Sequence, residues 1–327
     1  MIDSEVSFHR YSDLFKSDWE TFLTTNSCFT FQFQRRFLDL YSDAVHDVSY
    51  LVHDLSGELL AIIALAELKD KKQLISHQKS SFGGFFYKNG TSLQIKETIY
   101  LGFLNELCKQ FPNYSLEIRT PPKSFNLTDS AQERWILWRF GFNVDQIVLH
   151  SIIDLQQRMN QNSRRIKYEN RDIEVMETKS PILLKSFWEL LEENLSHRHM
   201  TRPTHQFNQI KQLVETFTNE IRVFLAFDSS TKLLGGLIFF NALGVFHLQY
   251  MAIGELGRKL SVGDLLIIHS LKVAESEGMN YFNFGHSNEK MGLKLNYNLS
   301  SFKAKFGSQF DEAIRWSIDL KNLQSGQ

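Results

Sequence analysis

The densest group of polar side chains that could carry chemistry follows a short apolar segment near the C-terminus. Residues 281–284 read YFNF, which has the length and apolar content of a buried strand, and residues 285–289 read GHSNE. Because an unperturbed imidazole titrates near neutral pH, His286 is the first candidate for a general base, and Glu289 is the second. Two neighbours could orient a substrate, Ser287 and Asn288. A turn in which Ser287 caps a following helix is the alternative.

A second candidate segment, Val245–Ile253, alternates apolar and polar residues and is predicted to be a strand. Neighbouring side chains of a strand point to opposite faces, so unbroken alternation separates two sets. One set is His247, Gln249 and Met251, and the other is Phe246, Leu248 and Tyr250. Tyr250 is a candidate acid or substrate contact, and Gln249 is a candidate substrate contact. The alternative for Tyr250 is a tyrosine at the edge of the core whose hydroxyl has a hydrogen-bond partner.

Between these two strands the sequence predicts a helix whose beginning could bind an anion. Apolar residues at helical spacing run from Asp264 to Ser276, and Gly278 ends the helix. The preceding loop offers small residues and the positive end of the helix dipole, which favour an anion. The residues concerned are Arg258, Lys259, Leu260, Ser261, Val262, Gly263 and Asp264. An ordinary capped helix start is the alternative.

The strand–helix–strand order also predicts how the two strands pair. A crossover through a helix is right-handed and makes the strands that it connects parallel. Their carboxyl ends, at Tyr250–Ile253 and Phe284–His286, are therefore expected at one edge of the sheet, together with the beginning of the helix. We expect the reacting groups to meet at this edge.

Two other segments contain residues that could contact a ligand. Residues 196–205 read SHRHMTRPTH, the richest histidine cluster of the chain. A metal site there would need a further ligand that the neighbouring sequence does not supply, so we predict no metal. In the first half, Gly83 and Gly84 could let the backbone approach a ligand closely, or could form a simple turn or bulge.

Composition excludes several classes of protein. The 327 residues include 36 Lys and Arg against 37 Asp and Glu, and a net charge of −1 argues against DNA or another polyanion as the main partner. Cys28 and Cys108 are too few for a disulfide framework or a metal-ligand set. The longest apolar runs are too short to cross a bilayer, and the beginning of the chain lacks the pattern of a secretory signal. We therefore predict a cytoplasmic protein without a transmembrane segment.

The order of predicted elements occurs twice along the chain. Each half contains helices, an antiparallel hairpin and then alternating helices and strands, and a length of 327 residues suits two domains. We predict an α/β protein with mixed sheets that divides into residues 1–158 and 159–327.

The second half resembles the FemAB-like acyltransferases, which contain two GNAT-type (acyl-CoA N-acyltransferase) units in tandem. The similarity rests on the strand at 245–253, on NFGHS at 283–287 and on GLKLNYNLSSFKAKFG at 292–307. Within the last segment Lys303 and Lys305 could meet a phosphate, and a charged face on an amphipathic segment is the alternative.

The resemblance extends to two loops. The phosphate-binding loop of GNAT proteins has Arg or Gln, two residues, Gly, one residue, and Gly or Ala. Arg258 and Gly263 match this pattern, and Ser261 stands at the first Gly. The resemblance also implies a substrate-facing loop in which Pro203 and His205 form a Pro-x-His step; this loop contains His199. An exposed loop between helices is the alternative for this segment.

The implied activity is transfer of an acyl group to an amine of a small molecule, such as an amino sugar, an amino acid or a cell-envelope precursor. Acyl-CoA is the expected donor, as a co-substrate rather than a permanently bound cofactor, with its pyrophosphate at residues 258–264 of the second domain. The acceptor is expected in a cleft shared by the two domains. One alternative is the aminoacyl-tRNA donor of the FemAB enzymes that build peptidoglycan bridges, which the near-neutral charge disfavours. The other is a double-GNAT scaffold that binds a ligand without catalysis. A homodimer is one possible assembly.

Overall fold

The computed structural model describes residues 6–26, 30–77, 79–125, 130–160, 172–199, 201–290 and 292–324. The chain forms two compact units. The first contains Met1–Leu149, Asn288–Leu295 and Asp311–Gln327, and the second contains His150–Ser287 and Asn296–Phe310. The C-terminal segment from Asp311 thus belongs to the first compact unit. The division at residues 158/159 followed the repeated order of elements and stays a prediction about domains.

Strands and helices are numbered separately along the chain. The strands are β1 (Val6–Arg10), β2 (His46–Asp47), β3 (Tyr50–Asp54), β4 (Leu59–Ile63), β5 (Ala66–Leu68), β6 (Gln73–Ile75), β7 (Phe85–Tyr87), β8 (Ser115–Thr120), β9 (Asn143–Asp154), β10 (Ile173–Glu177), β11 (Ile221–Asp228), β12 (Leu233–Ala242), β13 (Val245–Ile253), β14 (Tyr281–His286), β15 (Asn288–Glu289), β16 (Lys294–Leu295) and β17 (Gln309–Asp319).

The α-helices are α1 (Lys16–Thr25), α2 (Arg35–Leu38), α3 (Leu93–Gln110), α4 (Ser130–Arg139), α5 (Leu155–Asn160), α6 (Pro181–His199), α7 (Phe207–Thr216), α8 (Glu255–Lys259), α9 (Val262–Ser276), α10 (Tyr297–Ala304) and α11 (Leu320–Gln324). Among the described residues, none of these helices has both the length and the apolar character that a membrane span requires.

The core of the first unit is formed by helix α3 and two groups of strands. One group is an antiparallel sheet in the order β1-β3-β4-β7. The other runs in the order β17-β8-β6-β5-β2, and in it β6 and β8 are parallel. Apolar residues of α3 recur every three or four positions, which buries Ile99, Tyr100 and Phe103 in one core with the strands.

The second unit is a sheet in the order β10-β11-β12-β13-β14, completed by residues 150–154 of β9. Strands β10 to β13 are antiparallel neighbours, β13 and β14 are parallel, and β14 and β9 are antiparallel. Helix α9 connects the parallel pair, and its Val262 and Leu266 share a core with Phe246 and Phe282 of the two strands. The predicted parallel pairing across a helical crossover is confirmed.

Candidate active site

Strands β13 and β14 pair along only a short part of their length. The parallel pairs are Val245 with Tyr281, Phe246 with Phe282 and His247 with Asn283. Beyond them β13 continues beside β12 as far as Ile253, and β14 continues to His286. The two strands therefore part after His247 and Asn283. This leaves a gap between their backbones at the carboxyl ends, where we expected the reacting groups.

A β-bulge in β13 lies at the beginning of this gap. In the pairing with β12, Leu248 lies opposite Phe239 and Tyr250 lies opposite Ile238, so Gln249 is an extra residue without a partner in the ladder. Such an insertion shifts the alternation of side chains by one position.

The bulge decides which face of the sheet Tyr250 occupies. Phe246 and Leu248, before the bulge, belong to the core under α9, and Met251, after it, packs against the same core. Tyr250 therefore lies on the opposite face, together with His247. The predicted unbroken alternation, which grouped Tyr250 with Phe246, is wrong because it did not include the extra residue.

On this face Tyr250 is bonded to the loop between α6 and α7. Its hydroxyl oxygen lies 2.6 Å from Nδ1 of His205. The Trp188 ring of α6 meets the Tyr250 ring edge-on, with ring centroids 5.2 Å apart. Burial raises the pKa of Tyr250, whereas hydrogen bonds from His205, Gln249 and Thr204 lower it. The structure thus brings together three residues that the sequence marked separately, namely Tyr250, His205 and Gln249.

Three histidines gather with Asn283 where β13, β14 and β9 adjoin. The ring centroid of His150 lies 6.2 Å from that of His247 and 6.0 Å from that of His286. Nδ1 of His150 lies 3.3 Å from Oδ1 of Asn283. Burial lowers the pKa of His150 to about 3 and that of His247 to about 4, so both rings are neutral at pH 7. His286 is exposed and can exchange protons with water.

Lys303 of α10 reaches the carboxyl end of β14. The side chain is buried, and Nζ donates hydrogen bonds to the carbonyl oxygens of Gly285 and His286, both at 2.9 Å. Burial lowers the pKa of Lys303 to about 8, because the charged ammonium loses hydration. The alternative prediction of a charged surface face is therefore wrong for Lys303. Lys305, by contrast, is exposed.

The segment predicted to bind an anion consists of two helices and one turn. Helix α8 ends at Lys259, and α9 begins at Val262 rather than at the predicted Asp264. Between them Ser261 has a left-handed conformation, with φ 54° and ψ 34°. Glycine adopts this conformation most readily, and the resembling motif has Gly at this position. The first N–H groups of α9, those of Val262 and Gly263, have no acceptor within the helix.

Side chains of this segment are engaged within the second unit. Arg258 donates a hydrogen bond to the carbonyl oxygen of Ile253. Leu260 and Val262 pack in the apolar core. The ion pairs are Lys259 with Glu255 at 2.8 Å and Asp264 with Lys305 at 2.6 Å. An anion at the start of α9 would therefore lie beside Asp264 and compete with it for Lys305.

The polar segment after β14 is divided between the two units. His286 and Ser287 belong to the second unit, and Asn288 and Glu289 belong to the first. Ser287 is 2% exposed, and its Oγ has no hydrogen-bond partner among the described residues. Glu289 lies 3.9 Å from Lys294 in the small hairpin of β15 and β16. This hairpin stands where the alternative interpretation had a helix capped by Ser287.

The side-chain amide of Asn288 forms hydrogen bonds with backbone groups of the first unit. Its Oδ1 accepts a hydrogen bond from the N–H of Leu149 at 2.8 Å, and its Nδ2 donates to the carbonyl oxygen of Gly292 at 3.1 Å. Both polar atoms of the side chain therefore have partners, which weighs against the predicted contact with a substrate.

Gly83 and Gly84 approach other atoms of the first unit closely. A Cβ atom at Gly83 would lie 2.8 Å from the carbonyl oxygen of Ser76, and one at Gly84 would lie 3.2 Å from Oε1 of Glu133. Gly84 also has a φ of +126°, which other residues rarely adopt. Glycine is thus required by packing within the unit, which weighs against the predicted ligand contact.

Of the remaining predicted contacts, Pro203 is half-buried two positions before His205. The side chain of His199 lies outside the described residues. Within the part of the chain that the structure describes, no group of three or more His, Cys, Asp or Glu side chains could hold a metal ion.

Sequence reasoning missed two residues of the histidine group, His150 and Asn283. They lie 133 positions apart in the chain, and only the pairing of β9 with β14 brings them together. One local signal existed: Asn283 is an amide in an otherwise apolar strand, and a fully buried amide requires hydrogen-bond partners. No comparable signal marks His150.

Comparison with known proteins found one matching domain family and several similar structures. A model of the acetyltransferase (GNAT) domain family matches residues 156–297. The chain is similar to the crystal structure of FemX, with 13% identity over 97% of this chain and 98% of that chain and a TM-score of 0.66. It is also similar to a tandem GNAT protein from the clavulanic acid biosynthesis pathway, with 11% identity over 97% and 99% of the two chains and a TM-score of 0.58.

A third similar structure is L-PGS from Bacillus licheniformis, with 11% identity over 83% of each chain and a TM-score of 0.54. A search of curated proteins gave no significant match to the sequence. At these identities the similarity concerns the fold, which is that of two GNAT units in tandem.

Proposed function

Because residues 156–297 match a model of the acetyltransferase (GNAT) domain and the chain has the fold of two GNAT units in tandem, we propose that the protein is an N-acyltransferase acting on the amine of a small molecule. The proposed acceptor is an amino sugar, an amino acid or a cell-envelope precursor. The observation that carries the proposal is the gap between β13 and β14, with helix α9 beginning shortly after β13 ends. An acyl carbonyl in this gap would lie between two strands and beside polar side chains.

We propose acyl-CoA as the donor. The N–H groups of Val262 and Gly263 would bind its pyrophosphate, since the dipole of a 15-residue helix favours an anion at its beginning. The left-handed Ser261 supports this, because it keeps the turn that the resembling loop makes with glycine. The competing donor is aminoacyl-tRNA. A net charge of −1 speaks against it, since tRNA binding depends on neutralising phosphates with basic side chains.

In the proposed reaction an ammonium group of the acceptor first loses a proton. His286 is the proposed base, because its ring is exposed at the end of β14 whereas His150 and His247 are held neutral by burial. The free amine then attacks the acyl carbonyl, and negative charge develops on the carbonyl oxygen. The ammonium group of Lys303, at the same end of β14, would favour this charge.

The donor site is tested by titrating CoA into the protein in a calorimeter. In Gly263→Glu we expect the dissociation constant for CoA to rise at least about tenfold, because a carboxylate would oppose the pyrophosphate at the start of α9. A Cβ atom at Gly263 would lie 2.9 Å from the terminal methyl group of Met251, which is the end of a flexible side chain, and at ordinary contact distance from Ile253, so we expect the fold to survive. Thermal unfolding of the variant checks this.

Ser276→Glu is the matched control, because it adds the same charge to an exposed position at the other end of α9. Equal weakening in both variants would contradict binding at the beginning of the helix. If the wild type fails to bind CoA at millimolar concentration, the aminoacyl donor or a non-catalytic scaffold becomes the better explanation. The ion pair of Asp264 with Lys305, which already occupies this helix end, is the observation that favours a scaffold.

A further inference from the structure

We propose that Tyr250 and His205 form a proton shuttle that takes a proton from the attacking nitrogen and returns one to the leaving group of the donor. The inference rests on the proposed acyl transfer and adds to it a residue pair and a step. Tyr250 would be the catalytic member of the pair, and His205 would be a positioning residue that acts through it.

The position of Tyr250 on β13 is the first argument. The last pair between β13 and β14 joins His247 with Asn283, and Tyr250 lies three residues beyond it, in the part of β13 that borders the gap. The bulge at Gln249 turns Tyr250 to the face that His247 shares, away from the core under α9. Tyr250 therefore lies in the part of β13 next to the gap, and its side chain is outside the apolar core under α9.

The second argument is that packing fixes the pair. His205 is 9% exposed and Tyr250 is 8% exposed, so bulk water competes little for their 2.6 Å contact. Trp188 packs edge-on against Tyr250, and the ring of His205 lies 6.2 Å from that of Phe240, centroid to centroid. Because both rings are held from the side, the hydrogen bond needs no ordering when a substrate arrives. Gln249, Trp188 and Phe240, which pack against or bond with the pair, are uncharged.

The third argument concerns the proton itself. A hydrogen bond of 2.6 Å joins Oη of Tyr250 to Nδ1 of His205. A hydroxyl group has one hydrogen to donate and two lone pairs to accept with. In the proposed shuttle this hydrogen belongs to the bond with Nδ1 of His205, which leaves lone pairs on Oη to accept a proton from the attacking nitrogen. His205 is then the neutral tautomer that carries its proton on Nε2, and Nδ1 is a base in contact with Tyr250.

The proton balance of acyl transfer calls for such a pair. An acceptor ammonium must lose two protons to become an amide nitrogen, and His286 takes only the first, which goes to water. After attack, the nitrogen gives its second proton to Oη of Tyr250 as the hydroxyl hydrogen moves to Nδ1 of His205. When the bond between the carbonyl carbon and the leaving atom breaks, Nδ1 returns its proton to Oη and Tyr250 protonates the leaving sulfur or oxygen. The pair ends as it began.

The test compares turnover of the full-length chain carrying His205→Gln with that of the wild type. Glutamine keeps an acceptor for the Tyr250 hydroxyl but is not basic, so we expect kcat to fall about a hundredfold or more while KM for the acceptor stays within about threefold. Tyr250→Phe should lose a similar factor, and adding His205→Gln to it should cost little more, because the two act as a unit. His269→Gln and Tyr297→Phe, in the same unit but away from the pair, are the controls.

The pH dependence of kcat distinguishes the proposed role of the Tyr250–His205 pair from that of the base His286. His286→Ala should recover as pH rises past the pKa of the acceptor amine, since water then supplies the free amine. His205→Gln should not recover. A kcat within twofold of the wild type for His205→Gln, or its recovery at high pH, would overturn the shuttle.

A nitrogen-15 NMR spectrum of the histidine rings gives a readout that needs no activity. We expect Nδ1 of His205 unprotonated and Nε2 protonated at pH 7, with the signal assigned by its loss in His205→Gln. A proton on Nδ1 would refute the proposal. If the wild type transfers no acyl group from any donor, the proposed function fails, and this spectrum still decides whether His205 holds the Tyr250 proton.

Discussion

At the scale of single residues, the carboxyl group of Glu133 on α4 lies in the interior of the first unit. Tyr100 and Tyr87 donate hydrogen bonds to its two oxygens, the latter at 3.4 Å. Burial raises the pKa of Glu133 to about 7, although the bond from Tyr100 and the charge of Lys96 act in the opposite direction. The acid therefore keeps its proton in the folded chain at pH values at which an unfolded chain has lost it.

The consequence is a loss of stability as pH rises. Between the ordinary pKa of 4.5 and about 7, only the unfolded state releases this proton, so the free energy of unfolding falls with pH. At about 1.4 kcal/mol per pH unit the total is about 3 kcal/mol. We expect the unfolding free energy of the wild type, relative to that of Glu133→Gln, to decrease by this amount between pH 4 and pH 8, as measured by urea denaturation.

The difference between the two proteins is the quantity to measure, because the buried histidines act in the other direction. The pKa values of His150 and His247 are lowered to about 3 and about 4, so their contribution is lost as pH falls below the ordinary 6.5. Both histidines are present in the wild type and in Glu133→Gln, so their contributions cancel in the difference between the two unfolding free energies. A difference that stays constant from pH 4 to pH 8 would show that Glu133 titrates normally.

At the scale of secondary structure, two short interruptions position the candidate site. The extra residue Gln249 turns Tyr250 toward His205, and the left-handed Ser261 separates α8 from α9 and aims the first N–H groups of α9. Each interruption involves a single residue. Without the extra residue Tyr250 would lie on the other face of the sheet, and without the left-handed turn α8 would continue into α9.

The conformation of Ser261 predicts an unusual order of stabilities. A left-handed backbone costs about 1 kcal/mol or more for residues with a Cβ atom, and more for β-branched ones. We therefore expect Ser261→Gly to be more stable than Ser261→Val by about 1–2 kcal/mol in thermal or urea unfolding. The control is Ser276, in the last turn of α9, where the regular helix should make valine more stable than glycine. The same order at both positions would exclude the left-handed turn.

At the scale of the whole molecule, the compact units do not follow the two halves of the sequence. Residues 150–154 of β9 pair with β14 in the second unit, from Tyr281 with Asp154 to His286 with His150. Ile153 and Leu155 are buried in the same core as α9. A division at residues 158/159 would remove this strand from the sheet that carries the candidate site.

Truncation tests this organisation. A fragment of residues 160–327 lacks the strand beside β14 and exposes the core around Phe282, so we expect it to be less soluble than a fragment of residues 143–327. Soluble yield and cooperativity of thermal unfolding are the measurements, and the two fragments differ only in 17 residues. Equal solubility and equally cooperative unfolding would mean that β9 contributes little to the second unit.

The sequence by itself determined the order of elements around the site. Apolar spacing within short windows predicted the strand at 245–253, the crossover helix and the parallel β14, and the segments at 258–263 and 283–307 carried the resemblance that the comparisons support. These features could be predicted because the spacing of apolar residues in a strand or a helix is visible among neighbouring residues.

The tertiary structure decided which of those residues meet. Tyr250 reaches His205 only because a bulge shifts the phase of β13, and His150 joins Asn283 only through the register of two strands 133 positions apart. Lys303 is a buried donor to β14 although its local pattern indicates a surface face. Register, bulges and burial depend on how distant segments pack against one another, and a window of neighbouring residues does not contain that information.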